Sequence, residues 1–227
     1  MTSVVVEDAS SSRSSNDSLM YVIEHMETEV SEWVKNEYTR MVSDVGASNL
    51  MFTNMKPNVN CPAYDSEELT FLSGATLIPE TFQEFHDAKD GDRTKAVLLD
   101  ERSDAVLCPE DSGKFQYFLF GGILGNVDEL DMDRTKELRV QGYTLRHLGK
   151  EQMTTPTALA VSYRILHDQT PIEQLEFVDR PEYEITDAET LIIPFKYLAN
   201  EHGEAIMADG NLDLMSQDLD WDISMLM

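Results

Sequence analysis

Basic residues are scarce in this 227-residue chain: 17 Lys plus Arg stand against 43 Asp plus Glu, a formal net charge of −26. A field of that sign repels phosphate backbones, which argues against DNA and RNA as partners. It suits either plain solubility or a basic protein partner. Cysteine is scarcer still, with Cys61 and Cys108 alone, too few for a structural zinc site. The histidines, His25, His86, His147, His167 and His202, fall at none of the usual ligand spacings, so no metal is expected. No apolar run is long enough to cross a bilayer and no signal-peptide pattern is present. The expectation is a reduced, cytoplasmic setting with no membrane partner. Two nucleotide signatures are also missing, the Gly-Lys-Ser/Thr of a P-loop and the G-x-G-x-x-G of a dinucleotide fold.

What is present, with 41% hydrophobic residues, supports one α/β domain and a small appendage. Residues 1–18 hold a serine-rich polar tract with too little apolar surface to offset the entropy of ordering, and they read as a disordered tail. Met20-Tyr21-Val22-Ile23-Glu24 is a short apolar run ending abruptly in polar residues, the pattern of a buried parallel strand. Val30, Trp33, Val34, Tyr38, Met41, Val42 and Val45 then fall at helical spacing, with Thr28 the expected N-cap and Gly46 the terminator. Further strands are expected at Asn49 to Thr53, Ala96 to Asp100, Gln116 to Phe120 and Tyr143 to Arg146. One or two short helices fall between Met55 and Ala88. A helix from about Pro156 to His167 takes Thr155 as its N-cap.

Strands alternating with helices argue for a largely parallel sheet covered on both faces, with its ligand site beyond the carboxyl ends of the strands. The domain core is assigned to residues 19–170. Short strands at Leu175 to Val178, Tyr183 to Ile185 and Leu191 to Phe195 form a C-terminal extension over 171–207, and 208–227 read as an acidic tail.

Two segments carry glycines where backbone can approach a flat ligand closely. Phe120-Gly121-Gly122-Ile123-Leu124-Gly125 is a strand exit, and Leu148-Gly149-Lys150-Glu151-Gln152-Met153-Thr154-Thr155 precedes a helix N-terminus. Taken alone, the first is more often a tight strand exit than a cofactor wall, and the second reads as an ordinary capped connection to a helix. Together with Tyr21-Val22-Ile23-Glu24-His25-Met26-Glu27, Ser31-Glu32-Trp33-Val34 and Asp133-Arg134-Thr135-Lys136-Glu137-Leu138, they closely resemble the fungal SPOUT-class protein arginine methyltransferases that act on a small-subunit ribosomal protein.

That resemblance spans residues 20 to about 215, and it implies a fold, a donor and a substrate. The fold is a SPOUT-type α/β sheet with helices on both faces, its C-terminal part threaded as a trefoil knot. The donor is S-adenosylmethionine, bent in a cleft of three loops that map to Leu99-Asp100-Glu101, Phe120 to Gly125, and Arg146 to Thr155. Backbone of the last loop, at Leu148, Gly149, Gln152, Met153, Thr154 and Thr155, would hold the adenine. Gly121, Gly122 and Gly125 would let the methionine part pack closely beside Phe120 and Ile123, with Leu124, Leu148 and Met153 as apolar walls. The partner implied is a basic small-subunit ribosomal protein, and the enzyme a monomer.

Arginine is a poor nucleophile while protonated, and a carboxylate pair gripping the guanidinium both orients it and favours loss of a proton as the new bond forms. The acids expected to do this are Glu24 and Glu27 after the first strand and Asp133 across the cleft. His25 serves either as a proton acceptor or as a structural hydrogen bonder. Trp33 stands on the substrate side, and Arg134 holds a carboxylate of the donor or of a neighbouring loop. Two rival readings remain: an RNA methyltransferase, disfavoured because no basic cluster is present, and a non-catalytic acidic protein that shields a basic ribosomal protein. Deleting residues 1–18 is expected to leave turnover on an isolated protein substrate within about twofold of the intact chain, measured by labelled methyl transfer, because a polar tract of this kind supplies nothing to a cleft.

Overall fold

The computed structural model describes residues 19–27, 29–56, 67–89, 91–121, 136–186 and 189–216. The serine-rich start, Thr28, residues 122–135 and the end of the chain beyond 216 lie outside the described residues.

The run Met20–Glu24 forms β1, the centre of a six-stranded sheet in which all described pairings are parallel. Its neighbours are β2 (Leu50–Thr53) and β5 (Tyr117–Gly121). β3 (Thr76–Leu77) adds to β2, while β4 (Ala96–Leu99) and β6 (Thr144–Arg146) extend the other side, giving the order β3-β2-β1-β5-β4-β6. The two-residue β3 was not anticipated from sequence. It is held chiefly by backbone bonds at its margin, Ile78 N–H to the Phe52 carbonyl at 2.8 Å, and carries no apolar alternation to reveal it.

Side-chain alternation along each strand divides the core in two. Tyr21, Ile23, Leu50, Phe52, Val97, Phe118 and Phe120 point to one face, where α1 (Glu32–Val45) and α4 (Thr155–Leu166) pack through Val34, Tyr38, Met41, Leu159 and Ile165. Val22, Met51, Ala96, Leu98 and Leu119 point to the other, covered by Phe82 of α2 (Phe82–Ala88) and by Leu138 of α3 (Lys136–Arg139). Burial on both faces explains why the strands read as continuous apolar runs rather than as alternating ones.

Two caps differ from expectation by small shifts in sequence. Helix α1 is capped by Ser31, whose hydroxyl accepts the Val34 N–H at 3.3 Å. A cap must stand immediately before the helical backbone, and that backbone begins at Glu32. Helix α4 is capped by Thr154 rather than Thr155, for Thr154 has the extended backbone of a cap and accepts the Thr157 N–H at 3.4 Å. Thr155 becomes the first helical residue and spends its hydroxyl on the Gly121 carbonyl, at 3.3 Å. Gly46 ends α1 as expected; its φ of 80° is a conformation costly for any other residue, and its N–H reaches the Val42 carbonyl.

Beyond α4 the chain makes two small antiparallel ribbons, β7 (Phe177–Asp179) with β10 (Lys196–Leu198), and β8 (Glu182–Thr186) with β9 (Glu189–Ile192). The apolar stretch expected as one strand to Phe195 is divided at Ile193 and Pro194, where the chain turns into β10. These ribbons have a core of their own in Ile193, Phe195 and Tyr197. They dock on the main domain through the Lys196 N–H, which donates to the Gln152 carbonyl at 2.9 Å. Ala208 and Asn211, in the acid-rich stretch that follows, are buried.

The β4–β5 connection is tied to β6 by Asp111, which is fully enclosed and accepts from Arg146 Nε at 2.8 Å, Arg146 Nη2 at 3.3 Å and the Cys108 N–H at 3.3 Å. Burial alone would raise this carboxyl, but the Arg146 and Cys108 bonds outweigh it and hold it below the usual range. Arg146→Met should therefore leave the buried charge with only the more exposed Lys114 Nζ, at 3.3 Å, as its cation and cost about 3 kcal/mol in denaturant unfolding, whereas Arg164→Met, which removes an exposed pair with Asp168, should cost no more than about 1 kcal/mol.

Candidate active site

All the parallel strands deliver their carboxyl ends to one edge of the sheet. The chain leaves β1 toward β2 on one side, whereas β5 lies on the other side of β1 and feeds the chain on toward β6. Connections that diverge in this way open a crevice, and ligands of open α/β sheets bind there. Gly121 at the end of β5 is buried, and the Thr155 hydroxyl ties its carbonyl to the N-terminus of α4.

The loop after β6 is shaped by its own residues. Its entry at His147 is zipped to the β4 side, with His147 N–H to the Ala105 carbonyl and Leu107 N–H to the His147 carbonyl, both at 2.9 Å. The Gly149 N–H donates to His147 Nδ1 at 3.0 Å, and Gly149 has φ +112°, which strains any side chain. Leu148 and Met153 are half-buried against the main core, as is Leu99 at the end of β4. Gln152 is anchored from the C-terminal ribbons through its carbonyl. Asp100 is turned inward: Arg139 Nε donates to it at 2.5 Å and the Arg102 N–H at 2.8 Å, so its carboxylate braces the loop against α3. Of the glycine segment, Phe120 and Gly121 are described and buried, while Gly122, Ile123, Leu124 and Gly125 lie outside the described residues, as do Asp133 and Arg134.

The acids after β1 go to different places. Strand alternation sends Glu24 to the α2 face, where its Oε2 accepts from the Thr53 hydroxyl and from the Phe82 N–H at 2.9 Å. Burial raises this carboxyl, against the lowering effect of those two bonds. It satisfies an orphan donor at the start of α2. His25 takes the opposite face, with Nδ1 2.8 Å from the Tyr38 hydroxyl and Nε2 enclosed without a partner. Burial lowers it to about 4, so it is neutral at physiological pH.

Glu27 remains part-exposed, and its charge is felt by an acid that sequence reading did not single out. That acid is Glu37 in the middle of α1, one turn beyond Trp33. Its residue is 3% exposed and its Oε2 is enclosed without a partner, while the Trp33 side chain hydrogen-bonds the carboxyl. Burial pushes the Glu37 carboxyl up, the Trp33 bond opposes this, the charge of Glu27 adds to it, and the outcome is about 8. In sequence Glu37 looked like an ordinary solvated helix acid. The available signal was its i+4 spacing from Trp33, which places both side chains on one face.

Trp33 and Glu37 form one side of a small recess. Thr154, Pro156 and Thr157 at the start of α4 also line it, together with Tyr197, Met207 and Asn211 of the C-terminal region. An enclosed carboxyl with a free oxygen, an aromatic ring beside it and a cofactor-type loop adjoining is an arrangement suited to a planar cation. Among the described residues no group of three or more His, Cys, Asp or Glu side chains is placed to hold a metal, and no helix is long and apolar enough to cross a membrane.

Comparison with known proteins decides the class. Residues 20–222 match the family described as SFM1-like, protein arginine N-methyltransferase SFM1-like. The chain belongs to this family of protein arginine N-methyltransferases. The protein arginine N-methyltransferase SFM1 of Saccharomyces cerevisiae is 38% identical over 208 residues, covering 88% of this chain and 95% of the yeast protein. The crystal structure of the yeast enzyme complexed with SAM superposes with a TM-score of 0.77 at 36% identity, covering 88% of this chain and 91% of that one. Its complex with SAH gives 0.75 at 35% identity, covering 86% and 93%. The fold is the SPOUT-class α/β fold expected from sequence, and the chain is an S-adenosylmethionine-dependent protein arginine methyltransferase by family.

The raised Glu37 carboxyl has a thermodynamic consequence in an SFM1-like enzyme with no substrate bound. A carboxyl whose folded pKa lies above its unfolded value of 4.5 stabilises the fold below the unfolded value, and that contribution is lost as pH rises through about 8. Glu37→Gln, which mimics the protonated acid, is expected to melt with the wild type at pH 5 and a few degrees above it at pH 8.5, measured by calorimetry.

Proposed function

We propose that this chain transfers the methyl group of S-adenosylmethionine to a guanidinium nitrogen of an arginine in a basic protein, a small-subunit ribosomal protein, with Glu37 as the carboxylate that receives the guanidinium. The observation that carries the assignment of Glu37 is its enclosed, unpartnered Oε2 beside Trp33, at the start of the α4 loop. Holding such a group without a partner is costly, and sites of binding or catalysis are where such a cost is met.

The residues present fit the donor. Leu99, Leu148 and Met153 supply apolar surface at the strand ends, and the loop from His147 to Thr154 offers backbone groups around them. The sequence resemblance assigns donor contacts to Gly122 to Gly125 and substrate-side roles to Asp133 and Arg134, and a trefoil knot belongs to the same proposal. The bound donor supplies an electrophilic sulfonium methyl carbon.

The rest is the work of the protein's own side chains. A guanidinium entering the recess finds the Trp33 ring for its face and the Glu37 carboxyl for its N–H edge. Its positive charge draws the Glu37 proton off to solvent, and the resulting carboxylate fixes one nitrogen toward the donor. As the N–C bond forms and the S–C bond breaks, that nitrogen loses one proton, which Glu37 accepts and passes to water. Glu27, part-exposed and near, adds to the negative potential at the entrance. Glu24 and His25 support the site from beneath through Thr53, Phe82 and Tyr38.

The −26 charge favours a basic protein over RNA and steers encounter. A monomeric, cytoplasmic enzyme acting on newly made ribosomal protein agrees with this chemistry. The test is methyl transfer from labelled S-adenosylmethionine to the total protein of purified small ribosomal subunits, followed by mapping of the labelled residue. One labelled arginine is expected, and label on RNA or on lysine would overturn the reading. Glu37→Gln is expected to lower kcat/KM about 100-fold or more while leaving donor affinity by calorimetry within about twofold. Raising salt from about 50 to about 300 mM, which shortens the screening length more than twofold, should raise KM for the protein steeply and leave donor affinity unchanged.

A further inference from the structure

The recess around Glu37 is composite: α1 and α4 of the main domain form two of its sides, and Tyr197, Ile206, Met207, Ala208 and Asn211 of the C-terminal region form the rest. A side-chain hydrogen bond joins the two parts beside it. Asn36 Nδ2 donates to Asn211 Oδ1 at 3.2 Å, across 175 residues of sequence. Asn36 immediately precedes Glu37 on α1. Asn211 is 2% exposed, although Asp209 and Asp213 on either side of it are exposed. Every residue of this acid-rich stretch that lines the recess, Ile206, Met207, Ala208 and Asn211, is uncharged.

We propose that the Asn36–Asn211 amide pair is a positioning latch for the substrate arginine, seating the segment 206–211 against α1 so that it completes the wall of the Glu37 recess. The inference rests on reading that recess as the arginine site. Three further features agree with it. Gly210 holds φ +84°, and a Cβ there would stand 3.1 Å from Asn36 Nδ2, so the backbone beside Asn211 is fitted closely to Asn36. The Ile206 N–H is fixed to the Leu198 carbonyl at 2.9 Å and the Asn211 N–H to the Ala208 carbonyl at 3.2 Å, so the segment enters the latch already shaped. The amide pair is also uncharged, and a carboxylate at 211 would oppose the ionisation of Glu37 that a guanidinium requires.

Of the donor loop, only Thr154 lines the recess, and the latch does not touch it. Its loss should therefore appear in binding of the protein substrate and not in binding of the donor. The experiment is steady-state methylation by the full chain, with purified small-subunit ribosomal proteins as substrate and labelled S-adenosylmethionine at saturation, alongside calorimetric titration of the donor. Asn211→Leu and Asn36→Leu are each expected to raise the half-saturating concentration of protein about tenfold, with kcat and donor affinity within about twofold of wild type. The double variant should be no worse than the poorer single, because both remove one contact. If Asn211→Leu loses its cooperative melt, Asn36→Leu, on a half-exposed helix position, carries the test alone. Unchanged half-saturation in the folded variants, or equal loss of protein and donor affinity, would overturn the latch. Glu37→Gln assayed in parallel separates the two readings: wild-type rates there would refute the arginine recess whatever the asparagine variants do.

Discussion

A parallel sheet persists only where both of its faces are covered, and that requirement places every residue of the site. Because β1 is sandwiched, alternate residues at its end emerge into opposite layers. Glu24 is consumed under α2 and His25 against Tyr38 of α1. Because α1 must lay Val34, Tyr38, Met41 and Val45 on the sheet, the helical repeat leaves Trp33 and Glu37 at the flank of that stripe, where α1 meets α4 and the C-terminal ribbons. The recess is thus a seam between elements packed for other reasons, and its acid is buried as a by-product of that packing.

The same geometry explains what was legible in sequence. Apolar runs such as Tyr21 to Ile23, Ala96 to Leu99 and Phe118 to Phe120 are long, bounded and buried on both faces, so the central strands could be read directly. Boundaries set by a single hydrogen bond were less accessible: Ser31 and Thr154 cap their helices by competition with a neighbouring threonine one to three positions away, and only backbone geometry decides it. The two-residue β3 and the division between β9 and β10 depend on tertiary contacts with no local pattern.

The site was legible in outline through the glycine loops and the motif after β1, but the role of an individual acid was not. Glu24 and Glu27 stand out in sequence because they flank a recognisable strand end, whereas Glu37 lies inside a helix among Lys35, Asn36 and Thr39, where acids are commonly solvated. Burial distinguishes it, and burial arises here from Tyr197 and Asn211, far along the chain. No local window of sequence contains both halves of that contact.

A chain carrying −26 has many acids, yet the one placed in the recess is held protonated by burial up to about pH 8. This makes sense for arginine. An exposed carboxylate attracts any cation through a screened field and discriminates little between them. An enclosed carboxyl yields its proton only to a partner that repays the desolvation, and that requires a permanent charge together with close hydrogen-bond geometry. Guanidinium meets both conditions, since it stays protonated above pH 12 and presents a rigid fork of donors with a flat face for Trp33. An ammonium is a strongly hydrated point charge with no planar edge, and it loses more hydration on entering than one carboxylate returns. On the proposed function, the surface charge brings basic proteins to the enzyme, and the buried acid selects arginine among their cations.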